Sequence, residues 1–367
     1  MKKKQLILGA VVLVGIAALV FWGRDRIHFD FGVFRAQLAL ADWRKIGIGL
    51  ACIYLGYAFR AVRWAFLLRH NKKVGPLSLL GTQVIGFTAV ALIGRVADPV
   101  RPYLVARKTG LELSTQIAVY IVERLFDAGS MALIFSSVIL FTAWFGAPDA
   151  LPHAEIVRKA GYWGMGLTVA GALFLVGIRV AGGMIASFFE KMFGIFSKKM
   201  GQAAGEKIRS FRTGLDIMRS FSDFAVAAGL SLAMWGIITV AYLETMQAFV
   251  ASPELAAMTL PKSMLMLAFS GGASVFQLPV IGWFTQIGLV AAAMSTFYHV
   301  GAEAATACAA TLLLVTFLGI VPVGLVWAQV DHVSLRKVTA ESEQASEKVE
   351  EKLSNDPQAR ADSDPPA

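Results

Sequence analysis

From Gly94 to Gly129 the sequence reads GRVADPVRPYLVARKTGLELSTQIAVYIVERLFDAG, which places Arg95, Asp98, Arg101, Glu123, Arg124 and Asp127 between long apolar runs. Each Arg, Lys or Asp at the centre of a membrane helix costs about 2.5–3.5 kcal/mol on insertion scales. Charges repeated at such positions call for partners, water or a ligand. Gln116, Tyr120, Glu123 and Asp127 follow spacings of four, three and four residues, which puts them on one helix face. Two carboxylates one turn apart repel, so a cation or a proton belongs between them. Arg95, Arg101 and Arg124 are the candidate cations. Pro99 and Pro102 interrupt a regular helix and fix a turn that aims Arg95, Asp98 and Arg101. Two roles fit these residues. They form an internal ion-pair network, or some arginines face a polar cavity and hold an anionic headgroup, for which the planar guanidinium is suited.

Secondary candidates lie elsewhere. Arg60 and Arg63 sit one turn apart and either snorkel to headgroups or line the same cavity. Gln277 and Gln286 flank Pro279, where a helix break frees backbone groups that need partners. Cys52 and Cys308 lie in apolar runs without metal-ligand neighbours and read as small buried hydrophobes. No metalloprotease, nucleophile-elbow, P-loop or dinucleotide motif occurs in a credible context. Neither a metal nor a cofactor is expected, and no residue is assigned as catalytic. Glu123 and Asp127 would be the acid–base pair if the chain were a membrane-embedded enzyme.

The elements that must position these groups are membrane helices. The chain has 367 residues, 56% of them hydrophobic and only 16% charged. Its mean hydropathy is +0.63. Many continuous apolar runs approach the roughly 20 residues that span a bilayer, and none has the alternating period of barrel strands. The fold class is therefore all-α, a polytopic membrane helix bundle. The net charge of +9 gathers in short loops, a membrane signature that argues against nucleic-acid binding.

Helices are expected over 6–22, 46–68, 115–145, 161–180, 224–250, 283–300 and 304–329. An amphipathic interfacial segment is expected over 24–45, and a basic amphipathic stretch over 182–222. If 77–97 crossed once, the basic loop near 191–219 would fall outside, against the positive-inside rule. A re-entrant hairpin over 77–97, bent at Gly81, Gly86 and Gly94, puts that loop and both termini in the cytoplasm. Residues 263–282, with Gly271, Gly272 and Pro279, form a second broken or re-entrant region. Residues 1–330 form the membrane domain, and 331–367 are expected as a disordered cytoplasmic tail.

At GRVADPVRPYLVARKTG (94–110), ERLFD (123–127) and PVIGWFTQ (279–286), the chain resembles the lysylphosphatidylglycerol synthase transmembrane region, or flippase-like, family. The likeness extends over roughly 5–330. The family usually has Glu where Asp98 stands. Its late motif usually reads Pro-Gly-Gly-Leu-Gly before a Glu, whereas here Ile281 precedes Gly282 and Gln286 takes the place of the acid. The resemblance implies a bacterial-type inner-membrane protein that translocates or binds a lipid: an anionic phospholipid, a glycolipid or a hopanoid-type lipid. No synthase domain is expected after Gln329. The alternative is a lipid-modifying enzyme or its non-catalytic membrane subunit. The implied partners are membrane lipids, with a separate lipid-synthesis enzyme as a further candidate.

Overall fold

The computed structural model describes residues 29–140, 154–195, 220–273 and 281–355, with isolated positions between 197 and 205. The helix expected over 6–22, the residues Gln277 and Pro279, the stretch 206–219 and the last residues from 356 lie outside the described residues. Among the described residues all regular structure is helical.

A short helix α1 (Phe31–Ala39) starts at Asp30, whose carboxylate accepts from the backbone of Gly32 and Val33. Asp42 caps the next helix in the same way, accepting from Arg44 and Lys45, and α2 runs Trp43–Leu68. These caps satisfy backbone donors that a helix start leaves open. The end of α2 is tied to the start of α7 (Phe221–Gln247): Asp223 forms a capping box with Ser220 and also holds Arg69 and His70.

Helices α2 and α7 pack antiparallel along their length. Gly49 faces Ala241 and Thr245, Gly56 faces Ile238, and Arg63 donates to Ser231. A Cβ on Gly49 would lie 2.6 Å from Thr245 Oγ1, so the close approach depends on that glycine.

After α2 the chain forms a helical hairpin. Helix α3 (Pro76–Ile93) runs unbroken through Gly81 and Gly86. The break falls at Gly94 alone, with φ 92°, followed by a 3-10 turn (Arg95–Ala97) and α4 (Val100–Thr109). The expected bends at Gly81 and Gly86 are thus corrected. These two glycines serve packing: a Cβ on Gly81 would meet the Trp327 indole at 2.5 Å, and one on Gly86 would overlap Arg101 Cγ. The two ends of the hairpin come together where Lys72 Nζ donates to the Thr109 carbonyl at 2.6 Å. Arg69, Lys72, Lys73, Arg107 and Lys108 mark this as the basic end of the bundle.

Helix α5 (Leu113–Leu140) leaves the basic end, and α6 (Ala154–Gly194) returns along it. One continuous helix thus covers the expected span 161–180 and the start of the stretch expected as a separate amphipathic segment. Helix α7 then crosses to the far end and is followed by the short α8 (Pro253–Ala256). A second hairpin follows, α9 (Leu260–Ala273) and α10 (Ile281–Tyr298). Tyr298 Oη donates to the Lys262 carbonyl at 3.2 Å, so this hairpin opens at the far end. Helix α11 (Ala302–Thr316) returns toward the basic end and breaks at Phe317 before a 3-10 turn (Leu318–Ile320) and α12 (Val321–Val330). Tyr54 Oη donates to the freed Gly319 carbonyl at 2.9 Å.

The order helix, hairpin, helix therefore occurs twice with opposite sense: α2, α3–α4, α5 and then α7, α9–α10, α11. Such inversion is a recurrent transporter architecture. Among the described residues, four segments are long and apolar enough to cross a bilayer: α2, α3, α7 and the broken 302–330 helix.

Over 335–355 the expectation of disorder is also corrected. Residues Leu335–Asn355 form helix α13. Val338 is buried against Ala97, Val100 and Leu104, and Tyr103 Oη donates to Glu341 at 3.0 Å. Leu335, Val338, Ser342 and Ala345 recur at helical spacing, so a polar sequence still presents one face to α4.

The hairpin makes a topological prediction. In a background with Cys52 and Cys308 replaced by alanine, cysteines at Lys73 and Lys108 should react with an impermeant thiol reagent from the same side. A cysteine at Glu254 should react from the other side. Labelling of the first two from opposite sides would show that the chain crosses between them.

Candidate functional site

Helices α2, α4 and α5 bring six ionic side chains to one place. Glu123 and Asp127 lie one turn apart on α5, and both are buried. Glu123 Oε1 lies 3.2 Å from Arg60, 3.0 Å from Arg63, 2.8 Å from Arg101 and 2.9 Å from Arg124. Asp127 takes Arg63 at 2.8 Å on one oxygen, and Arg60 at 3.0 Å and Arg124 at 2.9 Å on the other. Three guanidiniums, of Arg60, Arg63 and Arg124, therefore bridge the two carboxylates, and Arg101 adds a fourth on Glu123 alone.

Neighbouring groups hold the arginines in register. Arg101 donates from Nε and Nη2 to Gln83 Oε1 at 3.0 and 2.7 Å. Its guanidinium also lies 4.4 Å from the Phe87 ring centre, 5.2 Å from Trp64 and 5.5 Å from Tyr120, a cage of three π faces. Trp64 Nε1 donates to Gln116 Oε1 at 2.9 Å, fixing α5 against α2.

Several expectations change here. Arg60 and Arg63 do not snorkel: both are buried and turned onto the carboxylates, because the acids on α5 offer partners that headgroups would otherwise supply. Arg101, for which an internal ion pair and a headgroup contact were both open, is 1% exposed and bound to Gln83 and Glu123. Arg124, one of the candidate cations, reaches both carboxylates yet keeps 39% of its side chain exposed.

A cavity of about 220 Å³ lies beside the cluster, between the two hairpins. Arg60, Arg95, Asp98 and Arg124 line one wall, and Tyr242, Ser270 and Gln286 line the other. Arg95 and Asp98 come from the break after α3, while Thr316 and Phe317 come from the break after α11. Irregular backbone thus meets at a polar space, where membrane proteins tolerate it. On the neutral wall, Ser270 Oγ accepts from Tyr242 Oη at 2.7 Å and from Gln286 Nε2 at 3.0 Å.

Around the cavity and the cluster behind it stand Arg60, Arg63, Arg95, Arg101 and Arg124, against Asp98, Glu123 and Asp127. The formal excess among these described residues is two positive charges. Among the described residues no group of three His, Cys, Asp or Glu could hold a metal.

Sequence reasoning missed Gln83, Ser231, Trp235, Tyr242 and Ser270. A Gln in the middle of the apolar run 76–93 was a readable signal. The hydroxyls and the tryptophan carried none, since Ser, Tyr and Trp occur throughout membrane helices.

Removing one partner of a buried pair strands the other at roughly 3–5 kcal/mol. Arg101→Ala and Glu123→Ala are therefore both expected to lower thermal stability and yield of the solubilised protein. Gly86→Leu, which displaces Arg101, should do the same. Fluorescence-detected size-exclusion after heating checks this, and an Arg101→Ala protein as stable as the unaltered chain would contradict the pairing.

No curated protein matches the chain. A protein-family model described as "Lysylphosphatidylglycerol synthase TM region" matches residues 6–324. Both hairpins and the ionic cluster fall inside the matched range. The chain is a multi-pass integral membrane protein, and it belongs to the lysylphosphatidylglycerol synthase TM region family.

Proposed function

We propose that this protein binds an anionic lipid headgroup in the cavity between its hairpins and moves it between bilayer leaflets. The observation that carries the reading is the excess of two positive charges around a polar cavity at membrane depth. A net positive charge at such a site is costly, and a phosphate brought to it replaces lost hydration with charge-assisted hydrogen bonds. Arg124 and Arg95, which reach the cavity wall, are the headgroup residues. Arg60, Arg63, Arg101, Glu123 and Asp127 hold Arg124 in place. Asp98 and Tyr120 complete the surroundings, Tyr120 with its ring 5.3 Å from the Arg124 guanidinium carbon.

The membrane is a bacterial-type inner membrane, with the basic end in the cytoplasm as the positive-inside rule requires. The hairpins enter from opposite ends, so a small tilt of one against the other would open the cavity to one leaflet at a time. The enzymatic alternative would use Glu123 and Asp127 as acid and base. Both are held by several guanidiniums, which favours an anchoring role over proton transfer.

The test is transport in proteoliposomes containing fluorescent phosphatidylglycerol, with dithionite quenching of the outer leaflet. The unaltered chain should make the inner-leaflet probe accessible. Arg124→Gln and Arg95→Gln should slow this at least about tenfold, the loss expected for one charge-assisted contact, while eluting as folded protein. Wild-type rates from both variants would remove the headgroup role.

A further inference from the structure

The polar cavity does not end at the ionic cluster. A second cavity of about 920 Å³, mostly apolar, shares Arg95, Arg124, Trp235 and Gly271 with it. Beyond these shared residues the walls include Met131 and Phe135 of α5, Phe269 of α9, and Leu289 and Phe297 of α10, with Asp127, already paired to arginines, among the lining residues. Ala128 and Ala132 on α5 and Ala292 on α10 leave the space open where larger side chains would fill it. At the junction stands Trp235. Its indole Nε1 is buried and has no hydrogen-bond partner among the described residues. A tryptophan N–H is a donor only, and buried donors are ordinarily paired.

We propose that the two cavities hold a single amphiphile, lying across the junction. Its phosphate meets Arg95 and Arg124. An ester carbonyl accepts from Trp235 Nε1. One hydrocarbon chain lies along the second cavity between α5, α9 and α10. The order of surfaces, cationic then one neutral donor then apolar, repeats the order of groups in a glycerophospholipid. A soluble phosphate ester offers the first group but leaves the apolar cavity without a match. This inference rests on the anionic-headgroup reading and adds the hydrocarbon site, the junction donor and the requirement for an ester.

The full-length chain in detergent provides the test, with binding followed by native mass spectrometry. The probes are phosphatidylglycerol, its ether-linked analogue, deacylated glycerophosphoglycerol and phosphatidylcholine. Phosphatidylglycerol should bind at least about a hundredfold more tightly than glycerophosphoglycerol, because burial of many methylenes is lost with the chains. Ala292→Trp and Ala128→Trp, changes at exposed positions on two walls, should each weaken phosphatidylglycerol about tenfold. Trp235→Phe keeps a ring and removes the donor. It should weaken the ester lipid about fivefold and leave the ether analogue unchanged, a difference that a general loss of packing would not give. Equal binding of glycerophosphoglycerol and phosphatidylglycerol would make this a soluble-phosphate site and overturn the proposal while the anionic reading stands. Indifference to tryptophan at both alanines, or equal loss of ester and ether lipids in Trp235→Phe, would also overturn it. Failure to prefer phosphatidylglycerol over phosphatidylcholine would remove both readings.

Discussion

One carboxylate oxygen, Glu123 Oε1, lies within 3.2 Å of guanidinium nitrogens from Arg60, Arg63, Arg101 and Arg124. Those arginines come from α2, α4 and α5, so this atom joins the long helix pair to the first hairpin. Burying an isolated charge is prohibitive, and buried ion pairs often add little net stability. What the arrangement adds is register. A sliding motion of α4 along α3 would take Arg101 from Gln83 and Glu123 at once, leaving the guanidinium and the Gln83 amide oxygen buried without their partners. Gly86 and the ring of Phe87 make the seat for that side chain, so the sequence of α3 is shaped by a residue fifteen positions away.

The same cluster explains where the helices break. At Gly94 and again at Phe317 the regular hydrogen-bond ladder stops at the depth of the cavity. Hydrocarbon cannot satisfy the freed groups, so the breaks need a polar surrounding. The ionic network provides it on one side, and Tyr54, which donates to the Gly319 carbonyl, provides it on the other. Fold and cavity are consequently one problem: the charges need the hairpin to bring them together, and the broken backbone needs the polar space that the charges line.

Much of this was legible before any coordinates. The run GRVADPVRP told of a break, because Gly and two prolines cannot continue a helix. The loop charges asked for a turn back within 77–97; the turn exists, but its return leg is Val100–Thr109, because Pro76–Ile93 stays one helix. The four, three, four spacing of Gln116, Tyr120, Glu123 and Asp127 gave one face of α5. What stayed hidden was partner choice. Arg60 and Arg63 looked like snorkelling residues because their partners lie more than fifty positions away, and no local pattern encodes which acid an arginine will meet. Whether Arg101 meets an internal acid or a headgroup was open for the same reason. Helix α13 was hidden by composition: its low hydrophobicity matches that of disordered tails, and its apolar stripe becomes visible only when Val338 has Ala97 and Leu104 to rest on.

The two halves share an architecture but not a chemistry. The first hairpin and its flanking helices carry the whole ionic cluster, whereas the second presents Ser270 and Gln286 to the cavity, with Tyr242 of the preceding helix beside them. A ligand between the tips therefore meets a cationic wall on one side and neutral donors and acceptors on the other. Charge fixes which end of an amphiphile enters, since guanidiniums attract phosphate at distances where hydroxyls and amides do nothing. The neutral wall acts only at contact and can release as readily as it binds. If both walls were cationic, an anionic headgroup would be held too firmly to leave; if both were neutral, nothing would compensate its desolvation. On the proposed reading, the unequal division of charge between two inverted halves is what lets one cavity both capture a headgroup and let it go.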